Sequence, residues 1–234
     1  MGFLLLEGGA EFGGRMAEPD KRAIELAGGP DASIAILPTA AAPDNNHERA
    51  GRNGLRWFRS LGSSRVDSVP VINKSSADNP VLAAQLRSAR FIYLLGGFPQ
   101  FLGETLKGSR VWQAALEAYQ DGAVIGGSSA GAMVLCEHYY DPSKGKLLEG
   151  LNLLPHSCVL PHHNNFGRNW AKDLSSQLPS DTLIGIDEQT GILNDAAGDW
   201  TIYGAGKVTL YRAGQTEVHG RGETIKLFNE QPGL

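Results

Sequence analysis

The sequence predicts a doubly wound α/β fold, with a mostly parallel sheet, helices on both faces and extra C-terminal strands. Three observations carry that expectation. Short β-branched or Leu-rich runs alternate with longer segments of helical spacing, the pattern of βαβ units. The run Phe91-Ile92-Tyr93-Leu94-Leu95 is apolar at every position, as expected of an interior strand covered by helices on both faces. From about Tyr139 the alternation gives way to a stretch rich in Gly, Pro and Asn, then to one helix and several short strands.

Taken in order, strands are expected at residues 3–6, 33–38, 66–71, 91–95 and 123–126. Helices are expected between them at 20–27, 46–61, 81–89 and 109–121, several with Asn, Asp or Ser near the start to cap free N–H groups. A helix opens at Ala130 and another covers 170–178. Ala197-Gly198 and Ala213-Gly214 mark turns between the late strands, which read as additions to one domain spanning 1–234.

Composition narrows the function. With 41% hydrophobic and 20% charged residues in 234, the chain can bury an ordinary core, which excludes intrinsic disorder. Its 21 Lys and Arg against 25 Asp and Glu leave a formal charge of −4, which disfavours nucleic-acid binding. No apolar run approaches the ~20 residues of a membrane helix. The first nine residues lack a basic segment and a cleavage site, so a cytoplasmic location is expected. Cys136 and Cys158 are expected to be reduced core residues.

The sharpest chemical signal is Gly127-Ser128-Ser129-Ala130-Gly131, a G-x-S-x-G turn between a strand and a helix. Only Ser129 fits the nucleophile position, because Ser128 would need Gly at 130. The Ala130 N–H, at the helix start, is positioned to hold an oxyanion. A second donor is expected from Gly97 in Gly96-Gly97-Phe98-Pro99, the loop after the apolar fourth strand. The base is expected from His162 or His163, which follow a short apolar strand. The acid is expected from Asp187 or Glu188, which alternate across the end of another strand, so that only one can reach the histidine. Arg168 is suited to hold a substrate carboxylate. Gln100 and Asn165 are further expected substrate contacts, and Phe98 and Trp170 are candidate pocket walls.

Ser129-Ala130-Gly131-Ala132, the earlier Gly-Gly loop, a His after a short strand and Gly185-Ile186-Asp187-Glu188-Gln189-Thr190 together resemble the cyanophycinase and aspartyl dipeptidase (peptidase E) family of serine peptidases. The likeness runs from the first strand to about Asn194. It implies a flavodoxin-like fold related to class I glutamine amidotransferases, with a triad in the order Ser, His, acid. It further implies Ser129 as nucleophile and Glu188 as acid. His162 is the implied base, because Pro161-His162 matches the dipeptidase pattern and places Arg168 where cyanophycinases keep an arginine. The chain departs from cyanophycinases at Leu160-Pro161, where they carry Asp-Gln, and at Phe98-Pro99, where they again carry Asp-Gln. It departs again at Phe166, where an arginine is expected. The implied activity is hydrolysis of short peptides through an acyl-enzyme, with no cofactor and no metal. A homodimer is expected by analogy.

Three rivals stand beside this reading. An esterase-type triad would run Ser129, then Asp195 or Asp199, then His219. A metal hydrolase would use His156, His162 or His163 with Asp187. A non-catalytic relative would bind its ligand without turnover.

Overall fold

Alternating side chains along the central strands split the core into two. Leu4 and Leu6 lie in one apolar cluster and Leu5 in the other, while Ile92 and Leu94 oppose Phe91 and Tyr93. The strands are β1 (Phe3–Glu7), β2 (Ser33–Leu37), β3 (Arg65–Ser68), β4 (Phe91–Leu94) and β5 (Val124–Ser128). They pair in parallel in the order β3-β2-β4-β5-β1. The first four repeat the 2-1-3-4 arrangement of a flavodoxin-like sheet, and β1, first in the chain, takes the fifth place. This computed structural model describes residues 1–228, so the last six residues of the expected 1–234 unit lie outside the described residues.

Helices α1 (Ala17–Leu26) and α2 (His47–Ser60) cover one face. The other is covered by α3 (Lys74–Ala77), α4 (Pro80–Arg87), α5 (Pro99–Leu106), α6 (Arg110–Gln120) and α7 (Ala130–Leu135). Beyond α7 come the hairpin of β6 (His138–Asp141) and β7 (Lys146–Glu149), then β8 (Ser157–Leu160), α8 (Ala171–Gln177) and β9 (Thr182–Ile186). Five strands close the described chain: β10 (Thr190–Asn194), β11 (Trp200–Gly204), β12 (Val208–Arg212), β13 (Gln215–His219) and β14 (Thr224–Ile225). The expected extra strands divide in two. β10, β11 and β14 extend the large sheet antiparallel from β1, whereas β8, β9, β12 and β13 form a second sheet in which β8 and β9 run parallel.

Three elements differ from expectation, each for a local reason. The strand expected over 66–71 stops at Ser68, because Pro70 has no N–H for the ladder and the Val71 N–H turns back to Val69 O at 2.7 Å. Helix α5 was hidden by its Pro and Gly. Pro99 sits at its first turn, where a missing N–H costs nothing, and Gly103 lets the Tyr139 hydroxyl approach. The β6–β7 hairpin is closed by Asp141, whose Oδ1 accepts from Ser143 N–H and Oγ at 2.9 and 2.7 Å. Cys136 and Cys158 are free and buried, as expected. Burial pushes the Cys136 thiol up to about 12, so it stays protonated. No helix among the described residues is long and apolar enough to cross a membrane.

Candidate active site

The C-terminal ends of β1, β4, β5, β8 and β9 converge on Ser129. Both motif glycines are there because backbones touch. A Cβ on Gly127 would lie 2.7 Å from Ala132 N, and one on Gly131 would strike the Leu94 carbonyl. Between them Ser129 has φ 49° and ψ −113°, a strained conformation for a residue with a side chain. Its N–H is tied to Glu7 O at 3.0 Å, and the turn lifts Oγ to 3.0 Å from His162 Nε2.

His162 follows β8, also at positive φ, 48°. Its N–H donates to Gly8 O at 2.7 Å, and its carbonyl accepts the N–H groups of Asn165, Phe166 and Gly167. The ring lies against Gly9 and stacks on Phe166 with centroids 4.9 Å apart and planes at 26°. Its Nδ1 is 2.8 Å from Glu188 Oε1. A carboxylate there accepts Nδ1–H, which leaves Nε2 free to accept from the serine hydroxyl. Asn164 Oδ1 accepts the Glu188 N–H at 3.0 Å and fixes the acid's loop.

The neighbouring His163 and Asp187 lie just past β8 and β9 and face away from Ser129. His163 points to the other side, with Nε2 2.8 Å from the Tyr211 hydroxyl and Nδ1 3.6 Å from Asp187 Oδ1. Asp187 also accepts Lys207 N–H at 2.9 Å. Desolvation lowers the His163 pKa more than Asp187 raises it, so this ring is held neutral.

Gly97 has φ 140°, and a side chain on it would strike the Ala40 carbonyl. The neighbouring Gly96 lies against Ser129, within 3.3 Å of its Cβ when given one of its own. The Gly97 N–H enters no turn bond among the described residues, and Ala130, as the first residue of α7, has no intrahelical acceptor. A cavity of about 620 Å³ opens from this loop along α2, bounded also by Glu11, Phe12 and Phe98. It occupies the switch point between the ends of β2 and β4, where open α/β sheets bind ligands.

The three expected substrate contacts do not line that cavity. Arg168 is exposed in the short turn Gly167–Trp170, where its charge reaches His163 and Tyr211. Asn165 is exposed in the turn closed on the His162 carbonyl, and Gln100 donates to Glu104 Oε1 on α5 at 2.6 Å. Trp170 packs between Phe166 and Tyr140. The rival groups lie elsewhere. His219 is paired with Glu223 at 2.9 Å, Asp195 caps the β10–β11 turn, Asp199 binds Lys226 and His156 faces Glu137.

Four further residues at the site were not among those expected there: Gly9, Glu11, Phe166 and Glu7. Glu11 accepts the Ser128 hydroxyl at 2.9 Å. Glu7 is fully buried beneath Ser129, accepts the Tyr93 hydroxyl and faces Asp20, which accepts Trp57 Nε1–H at 2.7 Å. Burial raises the Glu7 carboxyl far above its ordinary range and Asp20 to about 7, so protons are retained there near neutrality. The sequence signal for Gly8-Gly9 was a Gly pair directly after an apolar strand; nothing local marked the other three.

The sequence model of peptidase family S51 matches residues 3–197. The cyanophycinase of Synechococcus elongatus is 29% identical over 220 residues, which cover 88% of this chain and 67% of that protein. An uncharacterised peptidase of Listeria innocua is 36% identical over 144 residues, 57% of this chain and 65% of its own. The crystal structure of a peptidase from an acI-B1 actinobacterium superposes with a TM-score of 0.85 at 31% identity, covering 97% of both chains.

Proposed function

The chain belongs to peptidase family S51 and is a serine-type peptidase of the cyanophycinase and peptidase E kind; from this we propose that it hydrolyses short peptides through a Ser129-His162-Glu188 triad and an acyl-enzyme. The observation that carries the reading is the unbroken run of hydrogen bonds from Ser129 Oγ through His162 to Glu188, at 3.0 and 2.8 Å. His162 Nε2 takes the hydroxyl proton as Oγ attacks the scissile carbonyl carbon. Glu188 holds Nδ1–H and stabilises the imidazolium. The carbonyl oxygen becomes an oxyanion that receives the N–H groups of Gly97 and Ala130. Collapse breaks the C–N bond, and His162 gives its proton to the leaving amine. A water then repeats the sequence on the ester, with His162 again as base, and releases the acid.

Peptide substrates are supported by the family match. The test is product release from a panel of short peptides with acidic, basic or neutral acyl-side residues, β-aspartyl-arginine included. Wild type should cleave at least one peptide, Ser129→Ala should not, and His219→Ala should retain activity. Loss of activity in His219→Ala with retention in His162→Ala would replace this triad with the esterase-type order.

A further inference from the structure

The cavity beside Ser129 is not a compact pocket for one residue. Asn46, Arg49, Asn53, Arg56 and Ser60 all line it, so it follows one face of α2 from the N-cap to the last turn. At 1.5 Å rise per residue, that face is about 21 Å long. An extended peptide advances about 3.3 Å per residue and would place about six residues along it. Arg49 and Arg56 are exposed to the cavity, and neither lies within salt-bridge distance of a carboxylate among the described residues; Arg56 reaches only Asn53 Oδ1. By contrast Arg52, which flanks them without lining the cavity, pairs with Glu48 at 3.4 Å. The two carboxylates on the cavity wall are Glu11, already engaged by the Ser128 hydroxyl, and Asp44, which precedes α2.

The inner end of this groove meets the Gly96–Gly97 loop, through which it abuts Ser129, and none of Ser129, His162 and Phe166 lines it. A leaving amine must face His162 to be protonated, so the groove lies on the acyl side of the scissile bond. We propose that it binds an extended oligopeptide segment on that side, and that Arg49 and Arg56 receive two of its carboxylates. The two arginines are seven residues apart, about 10 Å along the helix, close to the about 9 Å between side chains three residues apart in a polyproline-II segment, where every third side chain faces the same way. This rests on the peptidase reading and goes beyond it: the substrate is an acidic oligopeptide rather than a dipeptide.

The experiment separates the two claims by measuring binding without turnover. Calorimetry on the Ser129→Ala protein compares acetyl-Asp-Ala-Ala-Asp-Ala-amide with the same peptide carrying Asn at both Asp positions. The Asp peptide should bind at least tenfold more tightly. Arg49→Ala and Arg56→Ala should each weaken it about fivefold at unchanged melting temperature, and Arg87→Ala, which removes the same charge from α4 on the other face of the sheet, should stay within twofold. Equal affinity for both peptides, no binding of either, or an equal loss in Arg87→Ala overturns the groove assignment. None of those results bears on the triad, which the turnover panel tests with wild type.

Discussion

Gly9→Ala tests how the base is held, because its effect can be worked from the coordinates. Gly9 has φ 111°, and a Cβ there would strike His162 Cε1 and lie 2.7 Å from Nε2. Ordinary van der Waals contact begins near 3.4 Å, so the ring must retreat by about 1 Å. It cannot retreat freely. Phe166 stacks on it, Glu188 holds Nδ1, and the His162 backbone is pinned to Gly8 O. The Ser129–His162 bond, 3.0 Å in the parent, therefore lengthens beyond useful reach. A displacement of about 1 Å at a reacting group costs about 10²-fold in rate, so kcat should fall by roughly that factor. The φ alone costs about 1–3 kcal/mol for Ala, a drop in melting temperature that leaves the protein folded. Steady-state kinetics on a cleaved peptide, with thermal melting alongside, gives both numbers. A Gly9→Ala protein that keeps kcat within twofold would refute the packing account of His162.

Glu188→Gln should lower kcat by about 10²–10⁴-fold with little change in KM, since the imidazolium loses its counter-charge while the geometry is kept. Asp187→Asn should cost less than tenfold, because Asp187 serves His163 and Lys207 instead; the reverse order of effects would reassign the acid. The Asp20 carboxyl is raised from 3.8 to about 7 in the folded protein. Between those values the folded state holds a proton that the unfolded chain has lost, so its stability should decline as pH rises from about 4 to 7. Asp20→Asn should flatten the fall in melting temperature between pH 5 and 8 without abolishing it, because Glu7 is shifted in the same direction. An unchanged slope would show that Asp20 does not titrate there.

Legibility followed the range of the interactions. The apolar run at 91–95 gave a true interior strand because burial on both faces leaves its mark within five residues. The G-x-S-x-G turn was equally local, since each of its glycines answers a contact within the strand–turn–helix unit or with the next strand. The order of the strands was not local. β1 joins β5 across about 120 residues of chain, and nothing in residues 3–7 specifies that partner. The choice between His162 and His163, and between Asp187 and Glu188, depended on resemblance. The two adjacent pairs point to opposite sides: His162 bonds Glu188 at 2.8 Å and Ser129, whereas His163 lies 3.6 Å from Asp187 and bonds the Tyr211 hydroxyl. The groove along α2 was missed because its arginines read as an ordinary polar helix face. Arg168, chosen as the cation nearest the histidines in sequence, is exposed on the His163 side.

The central claim is that His162 activates Ser129. A fluorophosphonate reacts with an activated serine whatever the natural substrate, so mapping its adduct by mass spectrometry tests the claim without knowing the peptide. The adduct should sit on Ser129, form at least about 10²-fold more slowly in His162→Ala, and be absent in Ser129→Ala. Labelling at another serine, or an undiminished rate at Ser129 without His162, would contradict it.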